Sequence, residues 1–171
     1  MAMKILSQRR PLWAEKRIGN SKLTIGRYGC TITCLSMLTS IFGDFVLPDE
    51  IADHKEWFTH GGLVVWGALK LPHIAFEKRL CDKYVKEIEE SLKSPEKAVI
   101  LEIWSKSHWV VGIRKTIWGN YAVADPWQGK IITIAPSDIT GSAHFVSTVK
   151  IKDEVPAWLK VKAKMPLWLR T

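Results

Sequence analysis

The sequence of 171 residues contains no apolar run near the ~20 residues that cross a bilayer. Its opening stretch, MAMKILSQRRPLWAEK, lacks the continuous apolar core of a signal peptide. Synthesis in the reducing cytoplasm is the expectation, with release or export by another route left open. Cysteine is scarce: Cys30, Cys34 and Cys81 are odd in number and cannot all pair within one chain. The paired Cys/His spacings of a zinc site are missing. Internal repeats and low-complexity stretches are missing too, as are the zinc-finger spacings and aromatic strings of nucleic-acid modules, so no specific nucleic-acid partner is expected. Acids are the minority charge, 17 Asp and Glu against 25 Lys and Arg, for a formal net charge of +8. That excess predicts attraction to polyanions such as nucleic acid, an anionic cell-wall polymer or an acidic membrane surface, without choosing among them.

What is present is enough apolar residue, 47% of the chain, for one domain with a sizeable core. That domain is expected over about residues 1–155, followed by a basic, Trp- and Pro-containing segment at 156–171 that reads either as a tail or as a final strand. The chain opens on MKIL, a short strand candidate, then a loop containing GNSKL. From Thr31 to Phe42, apolar Ile32, Leu35, Leu38, Ile41 and Phe42 recur at steps of three and four, which predicts a helix with one buried face, and Gly43 supplies its stop. The middle third reads as helical. LPDEIADHKEWF has Pro48 and acids in a first turn, GGLVVWGALK is a short apolar segment, and DKYVKEIEESLKSPE carries charges at helical spacing. After Lys97 the texture changes to AVILEIW, HWVVGIRK, YAVADPW, KIITI and HFVSTVKIK, short β-branched and aromatic segments split by turn signals. Helices first and antiparallel strands afterwards define an α+β domain.

Within this frame, Cys30 stands at the start of the helical run, where the helix dipole favours a thiolate. A nucleophilic cysteine needs a base to take its proton, a polar residue to orient that base, and donors for a developing oxyanion. His108 begins one strand and Asp125 ends the next. Pairing those two strands across a tight turn brings the residues together. Gln8 lies upstream of the cysteine. The plainer readings are that Cys30 is a buried structural thiol, His108 a strand residue facing solvent and Asp125 a turn starter. Cys34, one turn beyond Cys30, reads as core, Cys81 as half-buried near a helix start, and His54, His60, His73 and His144 as surface or turn residues.

Gln8 with Trp13, LTIGRYGC, HWVV and ADPWQG, in that order, resemble the papain-like cysteine peptidases, and among them the family of bacteriocin-processing, double-glycine leader peptidases. The likeness runs from about residue 5 to residue 130. The chain continues its cysteine as GCTITC where that family has GCGPTS. The resemblance implies a papain-like fold whose nucleophile helix packs on an antiparallel sheet. It also implies hydrolysis of peptide bonds by Cys30, His108 and Asp125, with Gln8 and the Cys30 N–H holding the oxyanion, and no metal or organic cofactor. Trp109, Trp127 and Tyr28 are the candidate walls of a substrate cleft. The expected partner is a peptide, protein or cell-wall peptide substrate. The competing reading is a silent papain-like scaffold that binds a protein or cell-wall polyanion through its basic surface.

Overall fold

The structure, a computed structural model, describes residues 3–82 and 84–149, so the expected boundary near residue 155 and the basic segment 156–171 lie outside the described residues. Four α-helices run over Ile25–Tyr28 (α1), Cys30–Phe42 (α2), Pro48–Asp53 (α3) and Val85–Lys93 (α4). Six strands run over Ile74–Leu80 (β1), Lys97–Ile103 (β2), His108–Lys115 (β3), Tyr121–Asp125 (β4), Lys130–Ile134 (β5) and Ile139–Ser147 (β6). They form one antiparallel sheet in the order β1-β6-β2-β3-β4-β5. The fold is therefore α+β. No helix among the described residues is long and apolar enough to cross a membrane.

The sheet is covered on both faces, which explains why β2 reads as an almost unbroken apolar run rather than an alternating one. On one face, Ile100, Trp109, Val111, Ala124, Ala143 and Phe145 share a core with α2 and α3. On the other, Val99, Leu101, Val110 and Val123 pack with Ile88 and Leu92 of α4.

The helix expected at 31–42 starts at Cys30 and ends at Phe42, and Gly43 takes the left-handed conformation, φ 102°, that stops it. Its surroundings differ from the expectation of a single buried face: every residue from Ile32 to Ser40 is buried. Three of its four buried hydroxyls, those of Ser36, Thr39 and Ser40, find a local partner, whereas Thr33 Oγ1 has none among the described residues. Thr39 donates to the Ser36 carbonyl and accepts from the Val46 N–H, and Ser40 donates to the Met37 carbonyl and accepts from the Lys4 N–H.

The stretch MKIL is not a strand; its backbone is tied to α2 through the Lys4–Ser40 bond and through the Leu6 N–H on Met37 Sδ at 3.4 Å. The middle third is only partly helical. LPDEIADHKEWF splits into α3 and a 3₁₀ turn at Lys55–Trp57, and the apolar GGLVVWGALK holds only a 3₁₀ turn at Trp66–Ala68. The largest miss is β1, IAFEKRL, an edge strand with three exposed residues whose pairing to β6 is set by the sheet it joins. Cys81, just after β1, is exposed rather than half-buried, and His144 is buried rather than at the surface.

Candidate active site

Gly29 explains the placement of Cys30. Gly29 is buried and its N–H donates to the Ile25 carbonyl at 2.7 Å. A Cβ added there would lie 2.6 Å from both Ile25 Cγ2 and Ile25 O, so a larger residue would push α1 off the start of α2. Cys30 then becomes the first residue of a 13-residue helix, half-buried, with no side chain among the described residues capping the N-terminus. The free N–H groups of that first turn bias the position toward a negative charge.

His108 and Asp125 are brought together by the β3–β4 pairing, in which Val111 lies opposite Ala124. His108 Nε2 meets Asp125 Oδ1 at 2.6 Å, and both residues are buried. The same Oδ1 accepts the Trp127 N–H at 2.8 Å, so the turn after β4 also holds the carboxylate. With Nε2 turned to Asp125, Nδ1 is the ring nitrogen left for Cys30.

The charges follow from these contacts. Burial works against a thiolate at Cys30, yet the hydrogen bond and charge of His108, a backbone bond from Trp109 and the Thr31 side chain together bring its pKa below the ordinary thiol value. Burial likewise opposes a charged His108, but its bonds to Asp125 and Cys30 and their negative charges raise it from 6.5 to about 9. Asp125 is lowered: burial pushes it up, and the bonds from His108 and from the Trp127 and Gln128 backbone outweigh that. The three residues favour the state thiolate, imidazolium, carboxylate. Cys34, one turn down the same helix, goes the other way. It is fully buried, its Sγ contacts the Trp109 carbonyl at 3.4 Å, and burial and the Cys30 and Asp125 charges push its pKa well above the ordinary value.

Gln8 is buried beside this group. Its backbone N–H donates to the Pro126 carbonyl at 2.8 Å, joining it to the Asp125 turn. Its side-chain amide donates to the carbonyls of Ile25 (3.3 Å) and Gly26 (3.2 Å) in α1, while Oε1 is buried without a partner among the described residues. Trp13 lies in the core, and its indole N–H donates to the Ser7 carbonyl, holding the same loop. Of the candidate cleft residues, Trp109 is buried against Trp66, whereas Tyr28 and Trp127 are exposed.

A residue not singled out in the sequence completes the group. The indole of Trp104 lies nearly parallel to the His108 ring, 11° between planes with centroids 5.7 Å apart. An aromatic face so placed favours the charged imidazole. Trp104 gets there through a β2–β3 turn in which Trp104, Ser105 and Lys106 all take positive φ, 51°, 57° and 68°. Left-handed backbone at three successive non-glycine residues costs of order 1 kcal/mol or more each. The Trp104 N–H on the Asp138 carbonyl (3.1 Å) and the Ser107 hydroxyl on the Trp104 carbonyl (2.6 Å) hold it. The string WSKS has no glycine, so it carries no local sign of this geometry.

Compared with known proteins, the chain matches no protein-family model, and no curated protein is significantly similar to it.

Proposed function

We propose that the protein is a cysteine peptidase of the papain-like type, hydrolysing peptide amide bonds through Cys30, His108 and Asp125. The observation that carries this reading is the 2.6 Å His108 Nε2–Asp125 Oδ1 contact next to a half-buried cysteine, at a helix N-terminus, whose thiol is lowered by that same histidine. A purely structural thiol needs no charged imidazole, and Cys34 shows what one looks like in this chain.

In the proposed cycle the Cys30 thiolate adds to the substrate carbonyl carbon, and the electron pair moves to its oxygen. The Cys30 N–H and the Gln8 amide stabilise that oxyanion. Gln8 already donates to two carbonyls at 3.2 and 3.3 Å, long enough bonds for one N–H to turn to a stronger acceptor when it forms. As the carbon–nitrogen bond breaks, imidazolium His108 gives its Nδ1 proton to the departing amine and leaves a thioester on Cys30. Neutral His108 then takes a proton from a water that attacks the thioester. The carboxylic acid product departs and the thiolate–imidazolium pair is restored. Asp125 keeps Nε2 protonated and the ring aimed throughout.

The test is Cys30→Ala on a pool of denatured protein or peptide substrates. It abolishes cleavage and leaves the melting temperature nearly unchanged, since a half-buried thiol contributes little packing. In the wild type, iodoacetamide at pH 6 labels Cys30 far faster than buried Cys34 or exposed Cys81. Cleavage that persists in Cys30→Ala sinks the reading.

A further inference from the structure

The chain's positive charge lies toward its two ends, in residues 1–30 and in residues 104–171, the latter with ten Lys or Arg and four acids. Residues 1–30, which build the loop with Gln8 and lead into Cys30, hold seven Lys or Arg and a single acid, Glu15. Residues 31–103 reverse the balance, with eight Lys or Arg and twelve acids. Some cations are matched: Lys16 pairs with Asp53, Arg79 with Glu102, Lys97 with Glu77, and Lys93 and Lys115 with Glu89. Arg9 and Arg27 form no ion pair among the described residues, although both are exposed.

Their positions tie them to the candidate site. Arg27 is three residues before Cys30, its guanidinium 5.4 Å from the Tyr28 ring centroid. Arg9 follows Gln8 and lies 4.9 Å from the Trp127 ring centroid, on the turn whose N–H groups hold Asp125. A guanidinium resting on an aromatic face has its orientation limited while its N–H edge stays open to a carboxylate, which it can grip with two parallel bonds. The thiolate–imidazolium pair is neutral and Asp125 adds one buried negative charge, so an anionic substrate is drawn by the exposed cations close in sequence to these residues, Arg9, Arg10, Arg27 and Lys106.

We infer that the site takes acidic peptides, with Arg9 and Arg27 binding Asp or Glu carboxylates on the residues flanking the bond to be cut. This rests on the peptidase reading for the cut, but not for the binding. Arg9 and Arg27 act on substrate capture, so their loss raises KM and leaves kcat close to wild type.

The experiment compares the wild type with the double variant Arg9→Gln/Arg27→Gln by two readouts on Cys30. The first is the ratio of labelling rates by iodoacetate and iodoacetamide, which differ in charge. It falls about five- to tenfold in the double variant at low salt, and His108, common to both proteins, cancels. The second is protection of Cys30 from iodoacetamide by a peptide carrying four Glu, against the same peptide carrying four Gln. The Glu peptide protects the wild type at least tenfold better, and the difference disappears in the double variant.

An unchanged labelling ratio, or equal protection by the two peptides, overturns the inference. So does a single-stranded oligonucleotide that protects as well as the Glu peptide, since the surface would then be a general polyanion binder. Selective protection by the Glu peptide with no cleavage of either peptide keeps the anion site and removes the peptidase reading.

Discussion

His108 and His144 lie in the same sheet, both buried, and differ in charge because of their partners. His108 faces a carboxylate and a thiol, and it is raised to about 9. His144, in β6, is held between two hydroxyls, with Ser91 Oγ 2.8 Å from Nδ1 and Ser142 Oγ 2.8 Å from Nε2. Hydroxyls satisfy a neutral imidazole but do not balance a charge. Burial, helped by Lys78 and Lys97 and only partly offset by Glu77 and Glu87, lowers it to about 4. A buried histidine in this fold is thus either a charged member of a reactive group or a neutral tie between α4 and the sheet. The distinction lies in who faces it, not in how deeply it is buried.

Removing each histidine is the most direct way to break that comparison. His108→Ala is expected to lower peptide cleavage by about 10³-fold or more while the protein stays folded, because the thiolate loses both its counter-charge and its proton donor. His144→Phe leaves activity per folded molecule unchanged and costs about 1–3 kcal/mol of stability, since two buried hydroxyls lose their partner. Chemical denaturation and turnover measured on both variants check the pair. A catalytic loss in His144→Phe comparable to that in His108→Ala would erase the distinction.

Gln8→Ala comes next, with kcat down by about 10²–10³ and KM little changed, because an oxyanion bond strengthens only in the transition state. Cys30 is still labelled by iodoacetamide at the wild-type rate. A variant with full turnover assigns Gln8 to holding α1 through Ile25 and Gly26 and nothing more.

Asp125→Asn makes His108 resemble His144 by replacing a charged partner with a neutral one. We expect cleavage to fall about 10²-fold. The pH profile of Cys30 labelling moves toward that of an ordinary thiol as His108 loses the bond that raises it. The upper limb of the wild-type pH–rate profile, where the imidazolium loses its proton, moves down from about 9 in the same variant. Both limbs belong to the coupled pair rather than to single residues.

The smallest effect is the pH dependence of stability, and its sign differs between the two rings. His108 binds its proton more tightly folded than unfolded. Its contribution is fully present below the unfolded value near 6.5 and is lost as pH rises toward 9. His144 binds its proton less tightly when folded. Its contribution is present above 6.5 and is lost as pH falls toward 4, where the unfolded chain takes up a proton that the folded one refuses. Urea midpoints measured between pH 4 and 6.5 rise with pH in the wild type, and less steeply in His144→Phe. Equal slopes would mean that His144 is not the group responsible.

The strands β2 to β5 and the two ends of α2 were legible in the sequence because their signals are local. HWVVGIRK is bounded by turn formers, YAVAD stops at a proline, and Gly43 stops a helix whichever way that helix packs. The meeting of His108 with Asp125 followed from the same information, since two strands joined by a short turn pair antiparallel and bring their far ends together. GCTITC lacks the glycine and proline of the family it resembles, yet the helix begins at Cys30 because Gly29 permits the close approach of Ile25.

Three features depended on residues far apart in the chain. The edge strand β1 takes its conformation from β6, some seventy positions away. The burial of α2 on all sides comes from the N-terminal segment and α3 as well as from the sheet. Trp104 reaches His108 only because the Asp138 carbonyl holds an otherwise unfavourable turn. Periodicity and turn chemistry act over a few residues and can be read from composition in a short window. Which ring faces a carboxylate and which faces a hydroxyl depends on loop closure across tens of residues, whose free energy is determined only when the whole core assembles.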